Sequence, residues 1–260
     1  MKNSFVFLGT GASAGVPVIG CDCAVCTSAS PYNKRLRSSG LLKIGGRNFL
    51  IDAGPDFREQ ALRAKIHHLD ALFLTHTHFD HIAGVDELRA YFFRKKKPIP
   101  CLLSRESFED LKKRYYYLFL PIGQGPTLSV QLDLKVLDDD QGSIHFEGLE
   151  VGYFSFYQGG MKVTGYRILD FAYISDIRDY EETIFDELKG VKTLVLSALW
   201  EKKSDLHLSL DEAVFFAEKI KPAQTYLIHT NHGIDYESTN RKLPKGIRLA
   251  YDGLEIDLGH

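Results

Sequence analysis

The stretch Thr75-His76-Thr77-His78-Phe79-Asp80-His81 concentrates side chains that bind divalent metals. It follows the apolar run Ala71–Leu74 and precedes a segment read as a helix beginning near Ile82. In an extended chain, residues two apart point the same way, so His76 and His78 can grip one ion together. The chain then turns, and Asp80 and His81 swing to the other side, placed to hold a second ion. Neutral imidazole and carboxylate are donors that zinc, manganese and iron all accept, so the donor set alone does not choose among them. Ordinary polar residues after a strand would not crowd ligand types this densely.

A second cluster is Gly20-Cys21-Asp22-Cys23-Ala24-Val25-Cys26. Thiolates spaced C-x-C-x-x-C can wrap one tetrahedral zinc, with the fourth ligand coming from elsewhere. Such close spacing suits metal thiolates better than a disulfide framework, which implies a reducing, cytoplasmic compartment. Cys101 lies in the apolar run Ile99-Pro100-Cys101-Leu102-Leu103 and reads as a small core residue. The turn Gly9-Thr10-Gly11 is a weak phosphate-binding signal, because no βαβ pattern follows it.

These residues need a scaffold. Short β-branched or aromatic runs recur at Phe5–Leu8, Ser39–Ile44, Asn48–Asp52, Ala71–Thr75, Val151–Phe156, Val163–Leu169, Phe171–Ser175, Thr193–Leu196 and Gln224–His229. Helices are expected at Pro55–Lys65, at Asp179–Leu188 and at Ser209–Ile220. In the last, Ala213, Phe216, Ala217 and Ile220 form one apolar stripe behind a Ser209/Glu212 capping box. Runs of hairpin-like strands punctuated by helices predict an α/β/β/α sandwich, two mixed sheets covered by helices. With no repeat, low-complexity tract or linker, one domain over residues 1–260 is expected.

Composition bounds the partners. The 260 residues are 44% hydrophobic and 25% charged, with a formal net charge of -2, so no strong basic field favours nucleic acid. Lys2 followed by Phe5-Val6-Phe7-Leu8 is too short for a signal peptide and reads as an opening strand. No apolar stretch approaches the about 20 residues of a membrane-spanning helix, so a soluble protein with no membrane partner is expected. Arg94-Lys95-Lys96-Lys97 reads as a solvated helix end. The aromatic segment Tyr115–Pro126 reads as core, or alternatively as a lid or an oligomer surface.

The H-x-H-x-D-H pattern resembles the signature of the metallo-β-lactamase superfamily, whose members build a one- or two-metal site at one edge of a β-sandwich. The resemblance implies two further ligands. Asp176 follows the apolar strand Ala172-Tyr173-Ile174-Ser175 and matches the carboxylate that bridges the metals; His229 ends Tyr226-Leu227-Ile228 and matches the last ligand. His232, close after His229, is the candidate fourth ligand for the cysteines. Together with the glycine-rich first turn and His229-Thr230-Asn231-His232, these motifs look like the PhnP type of phosphodiesterase, over nearly the whole chain down to Ala250-Tyr251-Asp252-Gly253-Leu254-Glu255-Ile256. The PhnP type includes the cyclic phosphodiesterase of bacterial phosphonate breakdown. The family assigns Cys21, Cys23, Cys26 and His232 to a structural zinc, and it suggests a homodimer. It also carries a histidine before a Gly-Tyr strand, where this chain has Gln158 in Gln158-Gly159-Gly160-Met161-Lys162-Val163-Thr164-Gly165-Tyr166. An amide oxygen is a weaker ligand than imidazole, so one or two active-site metals (Mn, Zn or Fe) are expected.

His207, in Asp205-Leu206-His207-Leu208-Ser209, matches a family histidine that meets the substrate phosphate or protonates the departing oxygen. Asp80 is expected to be indispensable for turnover, and Asp52, at the end of a strand, to orient a metal-bound histidine. The implied activity is metal-assisted hydrolysis of a small, cyclic or linear phosphodiester by a hydroxide generated at the metal. Alternatives are a transfer-RNA 3′-processing nuclease, a pyrroloquinoline-quinone biosynthesis relative, which shares C-x-C-x-x-C, and a nucleotide- or metabolite-binding relative without turnover. His67 and His68 carry no role.

Overall fold

The computed structural model describes residues 2–121 and 124–259. The N-terminal half supplies β1 (Asn3–Gly9), β2 (Ser39–Ile44), β3 (Arg47–Ile51), β4 (Ala71–Phe73), β5 (Ile99–Ser104) and β6 (Leu132–Leu137). The C-terminal half supplies β7 (Gln141–Phe146), β8 (Leu149–Gln158), β9 (Met161–Ile168), β10 (Phe171–Ile174), β11 (Thr193–Ser197), β12 (Gln224–Ile228), β13 (Ile247–Leu249) and β14 (Glu255–Gly259). Among the described residues they form two seven-stranded sheets, ordered β14-β1-β2-β3-β4-β5-β6 and β13-β12-β11-β10-β9-β8-β7. Each sheet is antiparallel on one side and parallel on the other: β3 to β6 run parallel in the first, β10 to β13 in the second.

Burial of both faces of each sheet explains the layers. Between the sheets lie Phe5, Phe7, Phe49, Phe73, Tyr166 and Tyr173. The outer face of the first sheet packs on α1 (Phe57–Arg63), α2 (Phe79–Ile82), α3 (Arg89–Lys95) and α4 (Arg105–Arg114) through Leu50, Leu72, Ile82, Tyr91 and Leu111. The outer face of the second packs on α5 (Ile184–Glu187), α6 (Leu210–Ile220) and α7 (Tyr236–Asn240) through Ile174, Leu196, Ala213 and Phe216. This is the four-layer α/β/β/α sandwich of the metallo-β-lactamase fold. The capping box of α6 is present: Glu212 N donates to Ser209 Oγ at 3.3 Å and Ser209 N to Glu212 Oε2 at 2.8 Å. No helix among the described residues is long and apolar enough to cross a membrane.

Some expectations differ from what is found. The helix expected over Asp179–Leu188 is only the single turn α5, because Asp179 bridges Tyr157 at the end of β8 instead. The helix expected near Ile82 begins at Phe79, so Asp80 and His81 ride on its first turn. The glycine-rich first turn packs against neighbouring backbone: a Cβ at Gly9 would stand 2.0 Å from Arg37 O. Of Tyr115–Pro126, Ile122 and Gly123 lie outside the described residues, while Tyr115, Tyr117 and Phe119 pack against the outer core of the first sheet. Cys101 is fully buried, as its apolar setting predicts.

Candidate metal centre

Ligand-bearing loops leave the C-terminal ends of parallel strands, where open α/β sheets place their sites. His76 and His78 follow β4, Asp176 follows β10 and His229 follows β12. Asp52, Asp176 and His229 each stand just after a strand with φ of 60°, 58° and 57°. The other positive-φ non-glycine residues lie at helix ends (Lys65, Lys96, Lys221) or hairpin turns (Glu147, Leu169). A left-handed residue costs roughly 1–2 kcal/mol, and such strain gathers where function fixes a side chain.

The side chains converge. His76 Nε2 and His78 Nδ1 lie 2.9 Å apart, and with Asp176 they offer one group of potential metal ligands. Asp80, His81 and His229 form a second group. Asp176 stands between them, with Oδ2 3.1 Å from His81 Nε2 and Oδ1 3.2 Å from His229 Nε2. Asp80 Oδ2 lies 3.4 Å from His81 Nε2 and 3.3 Å from His229 Nε2.

Asp52 is fully buried behind the ligands. It accepts from Thr75 N and Thr75 Oγ1, each at 2.8 Å, and faces His81 Nδ1 at 2.7 Å. That contact keeps the proton on Nδ1 and turns Nε2 toward Asp80 and Asp176. Backbone contacts fix the loops. Ala53 N donates to His81 O and Gly84 N to Ala53 O, both at 2.8 Å, and a Cβ at Gly54 would stand 2.0 Å from Asp80 O. Tyr166 Oη donates to Leu74 O at 2.6 Å, tying the second sheet to the start of the histidine motif.

Gln158 and His207 join the same site. Gln158 Nε2 donates to His207 Nε2 at 2.8 Å and to Asp176 Oδ1 at 3.3 Å, and His207 stacks on His229 with ring centroids 5.0 Å apart. Arg178, two residues after Asp176, holds both carboxylate oxygens of Glu212 at 3.1 Å and reaches His207 O at 3.5 Å. Burial, helped by the neighbouring His229, pushes the His207 pKa down to about 4. His67, His68 and His145 stand apart from this site; His145 faces Glu150 at 3.9 Å on β7 and β8.

The residues present fit divalent cations. Burial disfavours a charged His81, yet the carboxylates of Asp176 and Asp52 outweigh it and hold its pKa well above the ordinary value. Burial likewise opposes the Asp176 carboxylate, and His229 and His81 nevertheless hold it well below the usual range. A buried cluster of carboxylates therefore recruits positive charge, which a metal supplies directly. Gln158 Oε1 is buried with no hydrogen-bond partner, a cost of roughly 1–3 kcal/mol unless something binds it.

The second centre is built from Cys21, Cys23, Cys26 and His232. Their sulfurs lie 3.2, 3.5 and 3.6 Å from His232 Nδ1. Tetrahedral zinc with ordinary bond lengths would put sulfur and nitrogen about 3.6 Å apart, so the cradle has the size of that ion. Arg35, which carries no motif, locks this cradle to the active-site loop. Fully buried, it donates to Thr230 Oγ1, Asn231 O, Asn33 Oδ1 and Ile234 O at 3.0, 3.1, 3.0 and 2.7 Å. Its acceptors lie on both sides of His232, and no local sequence signal marks it.

The family model of the β-lactamase superfamily domain matches residues 47–230, a span holding His76, His78, Asp80, His81, Asp176 and His229, the potential ligands of the first centre. The chain belongs to that superfamily. Within it the chain is PhnP-like: it is 36% identical to a crystal structure described as a new diphosphatase from the PhnP family, with a TM-score of 0.91 over 99% of this chain and 98% of that one. Zinc-bound PqqB from Methylobacterium extorquens shares the fold at 20% identity, with a TM-score of 0.79 over 98% of this chain and 100% of that one. A curated relative, the octanoyltransferase of Porphyromonas gingivalis, is 32% identical over 255 residues, 96% of this chain and 50% of that protein. The chain thus spans about half the length of that superfamily relative.

Proposed function

We propose that this metallo-hydrolase cleaves a small phosphodiester. The observation that carries the reading is the convergence of His76, His78, Asp80, His81 and His229 on the shared carboxylate of Asp176, with His207 stacked beside them. The 36% identity to a PhnP-family diphosphatase supports a phosphorus substrate, and it favours a disubstituted diphosphate as the second reading. Both substrates present a phosphorus centre flanked by two ester or anhydride oxygens.

One or two divalent ions at the ligand groups would supply Lewis acidity and water of lowered pKa, near 7 in well-studied zinc enzymes. The chain's own residues do the rest. Asp52 holds His81 in one tautomer, and Asp80 and Asp176 supply fixed negative charge. His207, neutral near pH 7 by its lowered pKa, is placed to donate a ring N–H hydrogen bond to the phosphate oxygens rather than to act as a proton donor. Arg178 and Glu212 fix the loop that carries it. Cys21, Cys23, Cys26 and His232 would hold a structural zinc away from the chemistry. The octanoyl transfer named for the longer relative is a property of that whole protein.

The test is hydrolysis of bis-p-nitrophenyl phosphate by metal-loaded protein, with Asp80→Ala as control, followed by cyclic phosphodiesters and a disubstituted diphosphate. Turnover that vanishes in the control supports the reading. Folded, metal-loaded protein with no turnover on any of these substrates rejects it and leaves a binding role.

A further inference from the structure

The two ligand groups are unequal, and the difference lies in this chain's own residues. On one side stand two carboxylates and two imidazoles: Asp80, His81, His229 and the shared Asp176. His81 is preset there, since Asp52 fixes its Nδ1 at 2.7 Å and turns its buried Nε2 toward Asp176 Oδ2 and Asp80 Oδ2, 3.1 and 3.4 Å away. On the other side stand His76, His78 and the same Asp176, with no further histidine, cysteine or carboxylate in the group; the amide of Gln158, which the family resemblance sets at the missing ligand position, reaches that Asp176 at 3.3 Å.

That amide is turned the wrong way for a ligand. Its Nε2, which cannot bind a cation, faces Asp176 Oδ1 at 3.3 Å and His207 Nε2 at 2.8 Å, while its Oε1 is buried without a partner. Presenting Oε1 in place of Nε2 would break the bond that Asp176 receives. A neutral amide oxygen would then replace imidazole, a weaker donor for zinc and its neighbours in the series.

We propose that the centre binds its metals asymmetrically: one ion held tightly by Asp80, His81, His229 and Asp176, and a second held loosely and exchangeably by His76, His78 and Asp176 because Gln158 does not complete that side. The proposal rests on the metal-centre part of the functional reading and not on the substrate, so counting metal remains decisive even where no phosphodiester is cleaved.

The experiment is elemental analysis of zinc-loaded full-length protein after gel filtration into metal-free buffer. The parent should retain about two zinc ions per chain, one at the cysteine cradle and one at the tight side, and Gln158→His about three. Cobalt loading separates the cradle independently, because its thiolates give a charge-transfer band that the active-site ligands do not. His76→Ala should leave the retained count unchanged, whereas Asp80→Ala should lower it by about one ion. Melting curves of all four proteins exclude loss of metal through unfolding. A parent that retains a third zinc, or a His76→Ala variant that loses as much as Asp80→Ala, overturns the proposal. A folded Gln158→His protein with no gain also overturns it; should that variant not fold, the His76→Ala and Asp80→Ala pair decides.

Discussion

Replacing Arg35 by alanine should loosen both metal centres at once without touching a metal ligand. The guanidinium spans the loop from His229 to Ile234, which carries His232, donating to Thr230 Oγ1, Asn231 O and Ile234 O on that loop and to Asn33 Oδ1 on its own side. Alanine would remove this donor from all four acceptors, of which Asn33 Oδ1 keeps Tyr236 N and Asn231 O keeps Ile234 N. At about 1 kcal/mol net for each bond, after allowance for the guanidinium's own desolvation, the loss is about 4 kcal/mol. For a chain of this size that corresponds to a fall in Tm of roughly 8–16 °C. Arg35→Lys should fall between, since one ammonium cannot reach acceptors arranged for a planar fork. Thermal melting of the zinc-loaded protein gives the stability, and a chromogenic zinc chelator gives the rate of zinc release, which should rise in both variants. A variant melting within about 3 °C of the parent and releasing zinc no faster would show that the loop holds itself.

Other expectations follow from single contacts. Gly54→Ala places a methyl 2.0 Å from Asp80 O, so it should displace the first turn of α2 and lower active-site metal content while the cysteine cradle keeps its zinc, as elemental analysis would read. Cys23→Ser should cost structural zinc and lower the melting temperature; a variant that melts like the parent with its zinc in place removes the structural assignment. Asp80→Ala should abolish diester hydrolysis while the circular dichroism spectrum stays native; retained turnover would remove Asp80 from the machinery. Asp252 offers a pH test: burial raises its pKa to about 6, against bonds from Leu36 N and Thr10 Oγ1 that pull it down. Because the folded pKa lies above the unfolded value near 3.9, its contribution is fully present below about pH 4 and is lost as pH rises through about 6. Urea unfolding should therefore show Asp252→Asn gaining on the parent by up to about 3 kcal/mol between pH 4 and pH 7, and a difference independent of pH would contradict the raised pKa.

Legibility tracked how local each signal is. The histidine motif and the cysteine cluster stand out because ligand types crowd within a few residues, and the α6 capping box because its partners are three residues apart. Asp176 and His229 were reached only through family resemblance, since a single carboxylate or imidazole at a strand end carries no local mark and His229 meets Asp80 149 positions away. The strands that pattern reading missed were β5, read only as an apolar run, and β6, β7, β13 and β14, which are the outer edges of the two sheets. Edge strands bury less and keep polar residues, as the alternation of exposed and half-buried positions along β7 shows, so their hydrophobic signal is weak.

What stayed hidden has a common physical form. Arg35 looks like a surface cation until acceptors 195 and 199 positions downstream surround it. Asp52, Asp176 and His229 look like ordinary strand ends until their backbones prove left-handed. Local propensity would place such residues in extended or right-handed conformation, so the fold must hold them against it. It does so with what lies nearby: Asp52 N donates to Phe73 O at 3.0 Å and Thr230 N to Thr10 O at 3.1 Å, while Ser175 Oγ donates to Asp176 Oδ2 at 2.6 Å. The convergence at Asp176 is therefore set by the sandwich as a whole rather than by any one loop. Substitutions at positions that touch no metal, such as Arg35 and Gly54, should consequently be felt at the metals.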